Sequence, residues 1–244
     1  MRYISKAPNT KYGITVMDRQ TIERAARDLL IAMYRQRSML WPGETRRPHE
    51  MMEPSDAARH LGIDFQLYDE LGRFGNRGIR FETAGMLDRR RAVIAVATKF
   101  PPEVVRFTAA HEIGHWLLHP GELMHRDRPV AGVAADVTRR PTMEVEADHF
   151  AACFLMPERL VRLALERTFR QPVPLLVDDV VAFHLRGNRG NYLLQATPQS
   201  LEREFAVASC EQFNGRRFYS LAKQFRVSIS SMAIRLRELQ LVEV

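Results

Sequence analysis

Between Val104 and Leu118 the chain is apolar on every side of a helix. Val104, Val105, Phe107, Ala109, Ala110, Ile113, Trp116 and Leu117 leave no polar stripe. A helix that is hydrophobic all round must be buried, so the rest of the chain has to be built around this one. Pro101-Pro102-Glu103 supplies its start, because proline fits the first helical turn and glutamate suits the positive end, and Pro120-Gly121 supplies its stop. Into this run the sequence "AAHEIGHWLLH" sets His111, Glu112, His115 and His119. Polar groups in such a helix are costly unless each finds a partner.

His111 and His115 stand one helical turn apart, so both imidazoles leave the same face and can grip one cation. Glu112 is turned about 100° from His111; it is placed to take a proton from a water whose pKa a metal has lowered, as in the His-Glu-x-x-His arrangement. A catalytic zinc needs a third protein ligand and an open position. Ten residues beyond His111 stands Gly121, which excludes the variant with a third histidine there. His119 adjoins the helix-ending Pro120 and reads as packed or as part of a rim.

The better third ligand lies in "MEVEADHFAACFLMP". Glu144 and Asp148 are four apart and share one helical face with Ala151, Ala152 and Leu155. Those alanines, with Gly114 opposite, allow the two helices to approach closely. Glu144 would complete a His-His-Glu site, and Asp148 would accept the free ring N–H of a ligating histidine. Glu146 points the other way and reads as a solvated carboxylate. His149 reads as surface and Cys153 as an inert core thiol.

In the remainder, residues 18–37 predict an amphipathic helix capped by Asp18, with Ile22, Ala25, Leu29 and Met33 inward. "WPGETRRPHEMMEP" is a loop and "PSDAARHLGI" a short helix. "DFQLYDEL" is a strand, and "RGIRFETAGMLDRRRAVIAVA" two strands about a turn near Leu87-Asp88-Arg89. Pro157 stops the second buried helix, and "ERLVRLALERTF" forms a third. In "FYSLAKQFRVSISSMAIRLRELQLV", Leu221, Ala222 and Phe225 precede a break at Val227. Ser228 then caps a helix bearing Met232, Leu236 and Leu239, giving a helix-turn-helix-like pair. Arg235 and Arg237 could meet phosphates there, which would make the protein a DNA-binding regulator with a structural or vestigial zinc site. Glu238 and Glu243 oppose this, and a pair packed on the core is favoured.

At 244 residues, 45% apolar and 27% charged, the chain can bury one core with an appendage and is not a disordered one. Its net charge of +7 comes from arginines scattered in clusters at 46–47, 89–91, 139–140 and 216–217, a pattern of solvated surface rather than one nucleic-acid stripe. Only Cys153 and Cys210 are present, which excludes a disulfide framework or a cysteine-based zinc finger. With no signal peptide and no long apolar run, a cytoplasmic protein without membrane contact is expected.

"RFTAAHEIGHWLLH" followed by "EVEADHFAACFLMP" resembles the ImmA/IrrE family of zinc metallopeptidases, as do "TAGMLDRRRAVIAV" and the tail from Leu221. The resemblance implies an α+β fold: a zincin-like core over 55–160, an N-terminal helix and loop over 1–54, and a helical C-terminal region over 161–244. It implies Zn2+, or another divalent metal such as Mn2+, held by His111, His115 and Glu144, with Glu112 as base and Asp148 behind the ligands. It further implies an endopeptidase that cleaves a helix-turn-helix repressor at one place, in stress response or mobile-element control. Spacing selects no oxyanion donor among His184, Tyr192 and Tyr219. The 41–54 insert and "PVPLLVDDVVAFHLRGNRGNYLLQ" have no counterpart in the family, and no long C-terminal sensor domain of the kind some IrrE-like members possess is seen.

Overall fold

The computed structural model describes residues 17–74, 81–127 and 141–243. The start of the chain and Arg139-Arg140 lie outside them. Helix α1 (Arg19–Arg35) begins at Asp18, whose side chain accepts from the Gln20 amide, and it buries Ile22, Ala26, Leu29 and Met33. The short α2 (Arg37–Leu40) follows, then a 3-10 turn at Pro48–Glu50 and α3 (Pro54–His60). Strands β1 (Asp64–Tyr68), β2 (Arg73–Phe74), β3 (Phe81–Glu82), β4 (Gly85–Asp88) and β5 (Val93–Ala97) lead into α4 (Pro102–Leu118). After it come β6 (Met124–Asp127), α5 (Thr142–Leu155) and α6 (Glu158–Phe169).

Strands β1, β5, β4 and β6 form one mixed sheet in that order, parallel between β1 and β5 and antiparallel elsewhere. β5 reads "VIAVA", and Ile94 to Ala97 are wholly buried, the mark of a central strand. Against the sheet lies α4, on α4 lies α5, and α1 covers α5. The fold is therefore α+β, with its two most apolar helices at the centre. The α4–α5 crossing is close because Gly114 has no side chain. A Cβ there would stand 3.2 Å from the Ala147 Cα and carbonyl oxygen. Phe150, Phe154, Ile113, Leu87 and Ile94 fill the core around it; emptying one of the two phenylalanine sites would cost about 3–5 kcal/mol.

Both ends of α4 are tied down. Arg106, buried near its start, donates to the carbonyls of Met52 and Phe225. At its other end Arg89, on the turn between β4 and β5, donates to the carbonyls of His115, Trp116 and His119 and lies 4.5 Å over the Trp116 ring. A cation is thereby set on the carbonyl-rich end of the helix, where it is favoured.

The C-terminal region comprises β7 (Leu175–Leu176), α7 (Asp179–Arg186), α8 (Asn191–Gln195), α9 (Glu202–Ser209), the β8 (Gln212–Phe213) and β9 (Arg216–Arg217) pair, α10 (Leu221–Phe225), α11 (Ile229–Glu238) and β10 (Val242–Glu243). Ser228 caps α11 by accepting from the Ser231 amide at 3.0 Å. The two arginines weighed as phosphate contacts make contacts within the protein. Arg235 is buried and donates to the Met156 carbonyl at 3.1 Å, while Arg237 holds Glu204 at 2.9 Å and the Pro198 carbonyl at 2.6 Å. Both guanidiniums are internal ties, so the two arginines offered for phosphates are already engaged. No described helix is long and apolar enough to cross a membrane.

Candidate metal centre

Where α4 crosses α5, His111 and His115 are fully buried, with their Nε2 atoms 3.0 Å apart. The Glu144 carboxylate, from the first turn of α5, lies 3.5 Å from His111 Nε2 and 3.6 Å from His115 Nε2. A fourth group joins them. His125, on β6, brings its Nε2 to 3.0 Å from Glu144 Oε1 and stacks on the His115 ring at 3.7 Å between centroids. One donor atom from each of the four lies within 4.8 Å of every other. A tetrahedral zinc with bonds of about 2.0–2.1 Å to nitrogen and oxygen separates its donors by about 3.3–3.4 Å, and the observed spacings straddle that value. The donor set fits a divalent cation of zinc's type.

Partners behind the ligands aim them. His111 Nδ1 meets Asp148 Oδ1 at 2.8 Å. His115 Nδ1 meets His119 Nδ1 at 2.9 Å, and His119 Nε2 meets Glu146 Oε2 at 2.9 Å. The other Glu146 oxygen accepts from the Met17 amide at 2.6 Å. With a carboxylate at each end, the proton of each metal-facing ring sits on Nδ1, and the Nε2 lone pairs are left to face one another. Burial, with His111 and His125 alongside, pushes His115 down to about 2. Burial would raise Glu144, but the neighbouring His111 and His125 outweigh it and hold the carboxyl far below its usual range. Neutral imidazole beside carboxylate anion is the state a metal requires.

Glu112, fully buried, follows His111 on α4 and lies against β4. A Cβ at Gly85 would stand 2.5 Å from Glu112 Oε1 and 2.6 Å from the Thr108 methyl. Only a glycine lets the strand pass this close to the carboxylate. His125 faces the same space, since Leu87, two residues along β4 from Gly85, pairs with it in register.

The structure thus gathers His111, His115, Glu144, Glu112 and Asp148 at one point. It corrects two other expectations. Glu146 is not solvated but buried, because the face of α5 opposite Glu144 meets His119 and the Met17 backbone rather than water. His149 is likewise buried, under α1 and the end of α11. His119 is a packed residue, bonded on both ring nitrogens. The proposed oxyanion donors point elsewhere: His184 lies against Phe213, Tyr192 on Arg186, and Tyr219 is 76% exposed. His125 was missed because "ELMHRD" has no β-branched or alternating pattern, and β6 exists through its ladder with β4. The only signal was a histidine within reach of the end of the metal helix.

A mixed sheet backing two crossed helices, with histidines and carboxylates turned to one point, defines the class: a domain built round a buried cluster of side chains able to hold a metal ion. Residues 59–174, from the end of α3 to just past α6, match the family model for peptidase M78, the IrrE N-terminal-like domain, so this stretch of the chain is similar to that peptidase family. No curated protein matches the chain.

Proposed function

We propose that the protein is a zinc-dependent endopeptidase of zincin-like architecture, with His111, His115 and Glu144 as ligands. The observation that supports this best is the convergence of the His111 and His115 Nε2 atoms and the Glu144 carboxylate, with Glu112 buried beside them against Gly85. When bound, the metal supplies Lewis-acid polarisation of the scissile carbonyl and lowers the pKa of water. Glu112 takes the proton from the attacking water and returns it to the leaving amine. Asp148 and the His119–Glu146 pair hold the two imidazoles in one tautomer and orientation. His125 donates a hydrogen bond to the oxygen on which negative charge develops.

His125 also favours a second reading, in which it is a fourth protein ligand and the site is closed and structural. Substitution separates the two. His125→Ala should leave metal content unchanged and lower kcat by about a hundredfold, the low end for loss of one such donor. Loss of the metal instead would establish the closed site.

For the substrate, the family resemblance supports one cut in a linker of a helix-turn-helix repressor, since a peptide must be extended to cross such a cleft. The test is to incubate the zinc-loaded protein with a candidate helix-turn-helix repressor and to read the products by mass spectrometry, with chelated protein as control. One metal-dependent cut, with casein left intact, is expected. Many cuts in casein, or an intact repressor, would overturn the dedicated role.

A further inference from the structure

The face of α5 turned away from Glu144 carries a second group of metal-ligating side chains. His149 and Cys153 are one turn apart on α5, and Glu23 reaches them from α1. His149 Nε2 stands 3.7 Å from Cys153 Sγ and 3.4 Å from Glu23 Oε1, and all three donor atoms lie within 4.8 Å of one another. A tetrahedral zinc, with bonds of about 2.3 Å to sulfur and 2.0–2.1 Å to nitrogen and oxygen, separates nitrogen from sulfur by about 3.6 Å and nitrogen from oxygen by about 3.4 Å. The two distances from His149 match those separations closely.

A second observation points the same way. His149 is only 7% exposed, and its Nδ1 has no hydrogen-bond partner among the described residues. Burial would lower its pKa, but Cys153 and Glu238 outweigh it and push it up to about 9, so a cation that binds Nε2 displaces a proton. Glu238 Oε1 lies 3.8 Å from Nδ1 at the end of α11, a carboxylate steadied by Arg235 at 3.2 Å and by Arg19 at 3.8 Å. A carboxylate behind the far nitrogen of a ligating imidazole is the usual companion of a metal-bound histidine. Around one buried ring the fold therefore sets a thiol and two carboxylates. The nearer carboxylate, Glu23, has its side chain 48% exposed, which leaves a way in from solvent.

We propose that Glu23, His149 and Cys153 form a second metal site, selective for a thiophilic divalent cation such as Zn2+. Cys153 binds as the thiolate, His149 through Nε2 and Glu23 through one oxygen, with the fourth position open to water. The cation clasps α1 to α5, the helix whose other face presents Glu144 and Asp148.

The site has a signature that the His111 cluster cannot produce, because only it contains sulfur. Co2+ added to the metal-free full-length protein should give a thiolate-to-metal charge-transfer band in the near ultraviolet. The band should survive in His111→Gln and in Cys210→Ala. It should vanish in Cys153→Ala and weaken in Glu23→Gln, each checked for native circular dichroism, and wild type should bind one more equivalent of Zn2+ than Cys153→Ala. No band in wild-type protein, a band that persists in Cys153→Ala, or equal zinc content in the two proteins would overturn the proposal.

Discussion

Glu146 illustrates how far the demands of a metal reach. It touches no ligand directly, yet it holds His119, which holds His115. Glu146→Ala should therefore weaken zinc binding by about tenfold to a hundredfold, the usual cost of losing a partner behind a ligand, and Asp148→Asn should do the same through His111. Competition with a chromophoric chelator measures both; a Glu146→Ala affinity equal to wild type would dissolve the relay. His115 adds a pH dependence to the metal-free chain. Its folded value of about 2 lies below the ordinary 6.5, so the unfolded chain binds the extra proton between those values. Stability from this group is complete above 6.5 and is lost as pH falls toward 2. Chelated protein should show that acid loss in denaturant melts, and His115→Gln should flatten it; a steeper loss in the variant would contradict the shift.

Among the elements, Gly114 decides whether the two central helices can close on each other. Gly114 lies against the backbone of Ala147, which cannot step aside as a side chain can. Gly114→Ala should push α5 and Glu144 off α4, costing about 1–3 kcal/mol as overpacking does, and it should lower metal affinity as well. Denaturant titration and metal binding, done together, check this, and a variant with wild-type affinity would show that the crossing has slack. The same pair of helices explains what was legible in the sequence. Their apolar character, their proline ends and the one-turn spacing of His111 with His115 and of Glu144 with Asp148 are local properties that survive folding unchanged. Glu146 and His149 were misjudged because a face turned from the metal was equated with a face turned to water, whereas α1 and His119 cover it. His125 depends on β6, whose pairing with β4 no short-range pattern announces.

At the scale of the whole molecule, the C-terminal helices are structural partners of the centre. Arg106 on α4 binds the Phe225 carbonyl, and Arg235 on α11 binds the Met156 carbonyl just past α5. Cutting the chain after α6 should therefore destabilise the metal site as well as remove the tail. The net charge of +7 should act on encounter with a protein substrate, so cleavage should slow as salt rises while metal content stays constant. The central claim is that a metal held by His111, His115 and Glu144 works with Glu112 as base. It is tested most directly by single-turnover cleavage with Glu112→Gln at a zinc occupancy matched to wild type. The account predicts equal zinc and a rate lower by at least about a hundredfold; full activity at equal zinc would contradict it.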